Sequence, residues 1–235
     1  MLKLISSQIV SMNDIEEEIL DRKNRKKSTN MILCEKVIGQ ILEEITLSEY
    51  DLIICTGEGE LGQTYSFFSS LASKDHARPI FFQNSLHNST LGSVSLQIPN
   101  IHLGISASNG FISYETGIEM ALASSSTKPV IIVGIDAYPK ELLEVKERIY
   151  GNEIKLKSGA CGALFLKDST SELFKSHKGR VLTDICFNTH CEAPTSREVF
   201  PANGLEDILR KLSQNHTNFT VNRPGGDSIV YSFES

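Results

Sequence analysis

Two short apolar runs, Asp51–Thr56 and Lys128–Gly134, constrain the fold of this chain most strongly. Apolar runs of this length are typical of β-strands that are buried on both faces of a sheet. Residues 30–47 instead carry apolar side chains at helical spacing, and residues 61–73 and 111–124 also favour helices. Strands that alternate with helices along a chain predict an α/β domain with helices layered on a sheet.

The remainder of the chain continues this alternation. We predict strands over 1–10, 101–107, 158–166 and 180–188, helices over 94–98, 139–150 and 205–214, and a hairpin that joins 219–221 to 228–233. A chain of 235 residues with 40% hydrophobic residues can bury one sizeable core. We therefore expect a single domain that spans residues 1–235.

The charge and hydropathy of the chain argue against two classes of partner. A net charge of −6 does not favour a broad nucleic-acid-binding face, which needs clustered Lys and Arg. The basic cluster Arg22–Lys27 follows the acidic residues 16–18, so we interpret it as a solvated helix face. No apolar run is long enough to span a bilayer, and the first ten residues lack the core of a signal peptide. We expect a cytoplasmic location and no membrane span.

Metal and cofactor sites have little support in the sequence. The five cysteines are scattered and form no Cys-x-x-Cys pair, so we expect free thiols rather than a zinc site or disulfides. The segment Gly57–Gly62 satisfies G-x-G-x-x-G after a predicted strand, but Glu58 and Glu60 would repel a pyrophosphate there. We interpret this segment as a tight turn, and we predict no metal and no cofactor.

Two segments contain candidate residues for nucleophilic catalysis. His190 and Cys191 are adjacent in sequence, but neighbouring residues of a strand point to opposite faces. Ser106 and Ser108 lie where a strand meets a helix, yet they fail the G-x-S-x-G pattern. We favour helix capping by Ser108 or Asn109 as the role of this segment.

A series of motifs between Asp51 and Leu166 resembles a known family. The most specific is Phe82–Asn88, which is similar to a Phe-x-x-Ser-Val-His-Asn signature, and Val130–Gly134 and Gly159–Leu166 follow in the same order. The chain resembles the beta-ketoacyl synthase-like N-terminal domain family of the thiolase-like superfamily, in its short branch from aryl-polyene and flexirubin-type pigment pathways. The resemblance implies half of a thiolase-like α/β/α fold with a mixed sheet. It also implies a structural turn formed by His87, Asn88 and Gly92.

The catalytic cysteine of that family is missing from this chain. In the family it lies on an elbow between a strand and a helix, which corresponds here to Ser106–Gly110. Counting from the motifs on either side places Asn109 at the nucleophile position. An asparagine cannot be acylated as a thiolate can. The family's catalytic histidines belong to a C-terminal half that has no recognisable counterpart here, so the resemblance implies an inert subunit.

The family contains such a subunit, the chain-length factor, which pairs with a full-length ketosynthase and shapes its acyl tunnel. The resemblance implies that the strand Ile101–Ala107 pairs with its mate across the dimer axis, with Leu103 and Ile105 at the interface. It also implies that Phe81, Phe82, Gln83 and Leu86 reach the partner's tunnel, although core packing is an alternative role for either phenylalanine. The expected partners are a ketosynthase and an acyl carrier protein, in type II polyketide or fatty-acid-like chain elongation.

Two other functions remain open at this point. One is a Ser- or Cys-dependent acyltransferase or hydrolase on the same fold, which an acyl-enzyme adduct would reveal. The other is a homodimeric module that binds acyl chains or acyl carrier protein, which the mass in solution would reveal.

Overall fold

The computed structural model describes residues 1–74, 78–150, 154–167, 169–189, 197–199, 202–223 and 227–234. The strands in chain order are β1 (Leu2–Ser11), β2 (Tyr50–Cys55), β3 (Ile101–Ala107), β4 (Val130–Asp136), β5 (Ile154–Leu156), β6 (Gly159–Leu166), β7 (Val181–Thr189), β8 (Arg197–Val199), β9 (Asn218–Asn222) and β10 (Asp227–Glu234). The helices are α1 (Glu16–Leu20), α2 (Thr29–Glu44), α3 (Leu61–Lys74), α4 (Pro79–Asn84), α5 (Ser89–Gln97), α6 (Ser113–Ala123), α7 (Lys140–Tyr150), α8 (Glu172–Ser176) and α9 (Gly204–Ser213).

Eight of these strands form one mixed sheet, in the order β3-β2-β4-β6-β1-β7-β10-β9. Strand β2 pairs in parallel with β3 and β4, and the remaining pairs are antiparallel. Among the described strands, β3 lies at one edge of this sheet and β9 at the other. The predicted mixed sheet is therefore confirmed.

The sheet carries a hydrophobic core on each face, because its central strands are apolar on both sides. In β2, Ile53 and Cys55 join the core that α6 and α9 cover, whereas Leu52 and Ile54 join the core that α2 covers. This alternation is the two-residue period of a strand. The result is the layered α/β/α arrangement that the sequence predicts. Within the described residues, no helix is both long and apolar enough to cross a membrane.

The described residues among the last seventy extend this sheet. Strands β7, β10 and β9 extend it beyond β1. A buried ionic cluster links this extension to α6. Arg223 donates through Nε to Glu115 Oε1 at 2.9 Å, and it also forms an ion pair with Asp207 of α9. Tyr231 of β10 donates to the same Glu115 oxygen at 2.7 Å. The C-terminal segment is thus part of the core.

The hairpin, the long helices and the central strands all occur where the sequence predicts them, within a few residues. The predicted helix over 94–98 begins earlier, at Ser89. Helix α4 is an addition that the sequence analysis did not predict.

Candidate functional site

The elbow between β3 and α6 carries the carboxamide of Asn109, the residue that the sequence analysis assigns to the nucleophile position. The Asn109 side chain donates through Nδ2 to Thr116 Oγ1 at 3.1 Å. Its backbone N–H donates to Ser113 Oγ at 2.8 Å, and that hydroxyl donates to the carbonyl of Thr56 at 3.0 Å. Ser113 therefore braces the elbow against the end of β2, a role that the sequence analysis missed.

The capping role expected for Ser108 or Asn109 is wrong. Asn109 occupies the N-cap position of a short 3₁₀ turn before α6, but its side chain makes no capping hydrogen bond because it reaches Thr116 instead. Ser106 donates from Oγ to the carbonyl of His87 at 3.0 Å. Within the described residues, neither Ser106 nor Ser108 hydrogen-bonds to a histidine ring or a carboxylate. Among the residues that the structure describes, none is therefore placed as the base that activates a serine at this elbow.

The G-x-G-x-x-G segment is a turn held by a buried carboxylate. Asp136, at the end of β4, accepts hydrogen bonds from Thr56 Oγ1 at 2.8 Å and from the backbone N–H groups of Gly57, Glu58 and Ala202, each at 3.0 Å. Burial raises the pKa of Asp136 to about 7, and these four donors oppose that rise. The Gly57 and Glu58 N–H groups that a pyrophosphate would need are already used, so the turn interpretation is confirmed.

Three cysteine thiols lie in the core. Cys34, Cys55 and Cys161 are buried, and burial raises the pKa of each thiol, which disfavours the reactive thiolate. Cys186 is exposed on β7. His190 and Cys191 lie outside the described residues. Within the described part of the chain, no cysteine is placed for nucleophilic catalysis at the elbow.

The residues expected to reach a partner's tunnel lie on α4 and in the turn after it. Phe82 is 58% exposed and Leu86 is 54% exposed, while Phe81 is half-buried and Gln83 is exposed. Phe82 is therefore not a core residue of this chain, and the alternative role of core packing is wrong for it. Its ring stands 5.4 Å from that of Phe67 on α3. Exposed aromatic side chains grouped in this way are typical of a contact surface.

The structure places His87 and Asn88 in the turn between α4 and α5, but it places Gly92 elsewhere. Gly92 lies inside α5, because its N–H donates to the Asn88 carbonyl at 2.9 Å and the helix continues beyond it. The assignment of Gly92 to the turn is corrected accordingly. Gly92 is exposed, and a side chain there would meet no atom within 4 Å.

Strand β3 presents a free edge close to this surface. Within the described residues it pairs with β2 alone, so its other side offers unused backbone hydrogen-bonding groups. Leu103 is 39% exposed on it and Ile105 is half-buried. His102 extends from the same strand and lies 3.0 Å from the buried carboxylate of Asp51. An exposed edge with apolar side chains is a site of strand pairing.

Comparison with solved structures identifies the fold. A chain from the structure of the ketosynthase ApeO in complex with its chain length factor ApeC, from Xenorhabdus doucetiae, superposes with a TM-score of 0.72 over 98% of this chain and 98% of that chain, at 15% identity. A chain from the AntDE:AntF structure, a type II PKS acyl-carrier protein in complex with its ketosynthase bound to the hexaketide, gives 0.73 over 100% and 99%, at 9% identity. The ishigamide ketosynthase/chain length factor gives 0.57 over 75% of this chain and 53% of that one, at 11% identity.

These likenesses confirm the predicted fold: the chain has the thiolase-like α/β/α fold of ketosynthase and chain length factor structures. Two of them extend over nearly the whole of both chains, so the C-terminal strands are also part of the shared fold. No protein-family model matches the chain, and no curated protein sequence is similar to it.

Proposed function

We propose that this chain is a catalytically inert chain-length-factor subunit that pairs with a full-length ketosynthase and shapes its acyl tunnel. The observation that supports this proposal is the elbow, where Asn109, at the predicted nucleophile position, donates its side-chain N–H to Thr116 Oγ1. The partner would perform type II polyketide chain elongation of aryl-polyene-like or fatty-acid-like products. An acyl carrier protein would deliver the acyl groups to that partner.

The surroundings of the elbow support inertness. Oxyanion stabilisation and decarboxylation in an acyl-transfer site require positioned donors and a base beside the nucleophile. Among the described residues of the last seventy, strands β7, β10 and β9 extend the sheet. The alternative of a Ser- or Cys-dependent enzyme needs a base beside its nucleophile. Among the described residues, none is placed beside Ser106 or Ser108.

The edge strand β3 is the proposed contact with the ketosynthase. Pairing with a strand of the partner would satisfy its free backbone groups and cover Leu103 and Ile105. A stable interface of this kind buries more than about 1,000 Å² in total. The exposed phenylalanine of α4 and Leu86 in the turn after it add apolar area to the same contact.

The proposed role of α4 is to close the end of the partner's tunnel. Phe82 is exposed in the free chain, so its ring is available to another subunit. A large aromatic side chain at the end of a tunnel limits the length of the bound acyl chain, since closely packed interiors resist overfilling. Phe81, Gln83 and Leu86 would line the same region.

The first test is the charge substitution Leu103→Asp, made in the chain co-expressed with a candidate ketosynthase. A carboxylate on a buried strand edge opposes association, so we expect the complex to separate on size exclusion. Ile149→Asp is the matched control, because Ile149 is 68% exposed on α7 and is outside the proposed contact. A Leu103→Asp complex that elutes intact excludes β3 as the interface.

The second test is Phe82→Ala in the intact complex. We expect products with additional two-carbon units and a thermal melt close to that of the unsubstituted complex. Phe68→Ala, which truncates an equally exposed aromatic residue on α3, should leave product length unchanged. Products of unchanged length from a well-folded Phe81→Ala/Phe82→Ala complex would remove these residues from the tunnel.

The free edge of β3 would also accept a second copy of this chain, which keeps the homodimeric binding module as a second candidate. The mass of the chain purified without a ketosynthase separates the two. A stable homodimer favours the binding module, and a monomeric or aggregating chain favours the chain-length factor. The cytoplasmic location and the single domain over 1–235 remain predictions.

A further inference from the structure

The turn that follows α4 is held by two contacts of one residue, His87. Its carbonyl accepts a hydrogen bond from Ser106 Oγ, at the end of β3, at 3.0 Å. Its ring lies against Gly59, in the loop between β2 and α3. A Cβ atom built on Gly59 would overlap that ring, at 2.6 Å from Cε1. The ring therefore occupies the space that a side chain at position 59 would need.

Gly59 is itself fixed on the frame of the fold. Its φ of +62° lies in the left-handed region that favours glycine. Its N–H donates to Thr56 Oγ1 at 2.8 Å, and its carbonyl accepts from Asn30 Nδ2 at 2.9 Å. The loop against which the His87 ring rests is thus tied to the end of β2 and to the start of α2.

Helix α4 rests on α3, where the rings of Phe82 and Phe67 stand 5.4 Å apart, and it is also held at its C-terminal end. Every one of its residues is described, and Asn84 alone among them is buried. Asn84 donates from Nδ2 to the carbonyl of Lys26 at 2.8 Å. Beyond the turn, Thr90 of α5 is hydrogen-bonded to the buried carboxylate of Glu60. The contacts at its C-terminal end therefore add to the packing on α3 in orienting the helix, whose own apolar side chains are not part of the core.

We propose that Gly59 and His87 are positioning residues that fix the angle of α4 and thereby set the length of the product that the complex makes. This inference rests on the proposed function. Six helical residues span about 9 Å, so a rotation of about 10° about the C-terminal end of α4 displaces its far end by about 1.6 Å. A displacement of that size is comparable to one carbon–carbon bond and is enough to change where an acyl chain ends.

The experiment compares Gly59→Ala, His87→Ala and the double variant in the co-purified complex, with carrier-protein thioesters as substrates. Gly59→Ala displaces the ring and His87→Ala removes it, so both should broaden the distribution of product lengths. We expect the ratio of longer product to main product to change by about threefold, which corresponds to about 0.65 kcal/mol in relative barrier. The double variant should match His87→Ala, because only one contact is lost in each case.

Gly110→Ala is the control for backbone strain. Gly110 also has a positive φ, of +54°, but a Cβ atom there would meet nothing within 4 Å. In the free chain this variant should lower the melting temperature as Gly59→Ala does, while His87 keeps its place. If Gly59→Ala fails to fold, His87→Ala carries the comparison.

Hydrogen exchange on the free chain tests the same proposal without the partner. The N–H groups of Phe81, Ser85 and Ser89 donate to the backbone carbonyls of Arg78, Phe82 and Leu86, respectively. In His87→Ala they should exchange about tenfold faster, because local opening is governed by local contacts. Unchanged exchange would overturn the proposal.

The product assay distinguishes a failure of the positioning role from a failure of the proposed function. If Phe82→Ala alters product length while Gly59→Ala and His87→Ala do not, the positioning role is refuted and the proposed function stands. If no complex with a ketosynthase forms, the proposed function fails and the positioning role fails with it. If the complex forms but Phe82→Ala also leaves product length unchanged, α4 does not line the tunnel and the positioning role is refuted.

Discussion

Replacing Arg223 with methionine would remove a buried positive charge while keeping a side chain of similar length. Arg223 is 1% exposed and lies between two carboxylates, those of Glu115 on α6 and Asp207 on α9. Without the guanidinium, both carboxylates remain buried with no cation between them. Removing one partner of a buried pair costs about 3–5 kcal/mol, because the remaining charge is uncompensated.

This cost is large compared with the usual stability of a domain, which is about 5–15 kcal/mol. For a chain of 150–250 residues, each kcal/mol lowers the melting temperature by about 2–4 °C. We therefore expect Arg223→Met to melt about 6–20 °C below the unsubstituted chain. Urea unfolding followed by circular dichroism would give the loss of free energy directly.

Arg210→Met is the matched control. Arg210 pairs with the same Asp207, at 3.1 Å, but it is 57% exposed. A surface ion pair contributes only about 0–1 kcal/mol, so this variant should melt near the unsubstituted chain. Adding Glu115→Gln to Arg223→Met should recover part of the loss, since one buried charge is removed. If Arg223→Met costs no more than Arg210→Met, the cluster does not hold the C-terminal strands to α6.

Three further outcomes follow from the structure. Burial raises the pKa of Glu60 to about 7 from 4.5. The stability that depends on the protonated form of Glu60 is therefore complete below pH 4.5 and is lost as the pH rises to about 7. Glu60→Gln should flatten the fall in melting temperature between these two pH values, and an unaltered slope would contradict this. Gly134→Ala should destabilise the chain by about 1–3 kcal/mol, because its Cβ would overlap the Ala202 carbonyl oxygen and lie 2.9 Å from the Tyr114 ring. Gly39→Ala should stabilise α2 slightly, because a Cβ at position 39 would have no atom within 4 Å. Equal melting temperatures for the two variants would refute the packing argument. The purified chain alone, incubated with malonyl and acyl carrier-protein thioesters, should release no carbon dioxide and form no adduct; a stoichiometric adduct on Ser106, Ser108 or any cysteine, detected by mass spectrometry, would show that it is an enzyme.

The sequence predicted the sheet well because its central strands differ from everything around them. Asp51–Thr56 and Val130–Gly134 are short, rich in isoleucine and valine, and apolar on both faces, as buried strands are. Helix α4 was missed for the converse reason. Pro79–Asn84 is six residues long and has adjacent apolar side chains, which give no helical period.

The resemblance to ketosynthases placed the elbow at Ser106–Gly110, and the sequence itself shows that this segment contains no cysteine. The contacts that hold the elbow and the turn could not be predicted, since they join residues far apart in sequence. Asp136 receives hydrogen bonds from residues about eighty positions earlier, and Arg223 reaches Glu115 across 108 positions. In the sequence, Arg223 and Asp207 resemble ordinary surface charges, because burial is a property of the assembled fold. The roles assigned to Phe81, Phe82, Leu103 and Ile105 remain predictions.

The order of strands in the sheet has a consequence for how this protein is made. Strand β1 lies between β6 and β7, so it leaves the ribosome well before the strands that it pairs with, which begin at Gly159 and Val181. At about 5–20 residues per second, residues 2–11 wait roughly 8–32 s before their first neighbour is synthesised. During that time Leu2 and Val10, both buried in the finished fold, are exposed on the nascent chain. Any chaperone, tag or tether that holds this first strand would therefore act on the step at which the middle of the sheet closes.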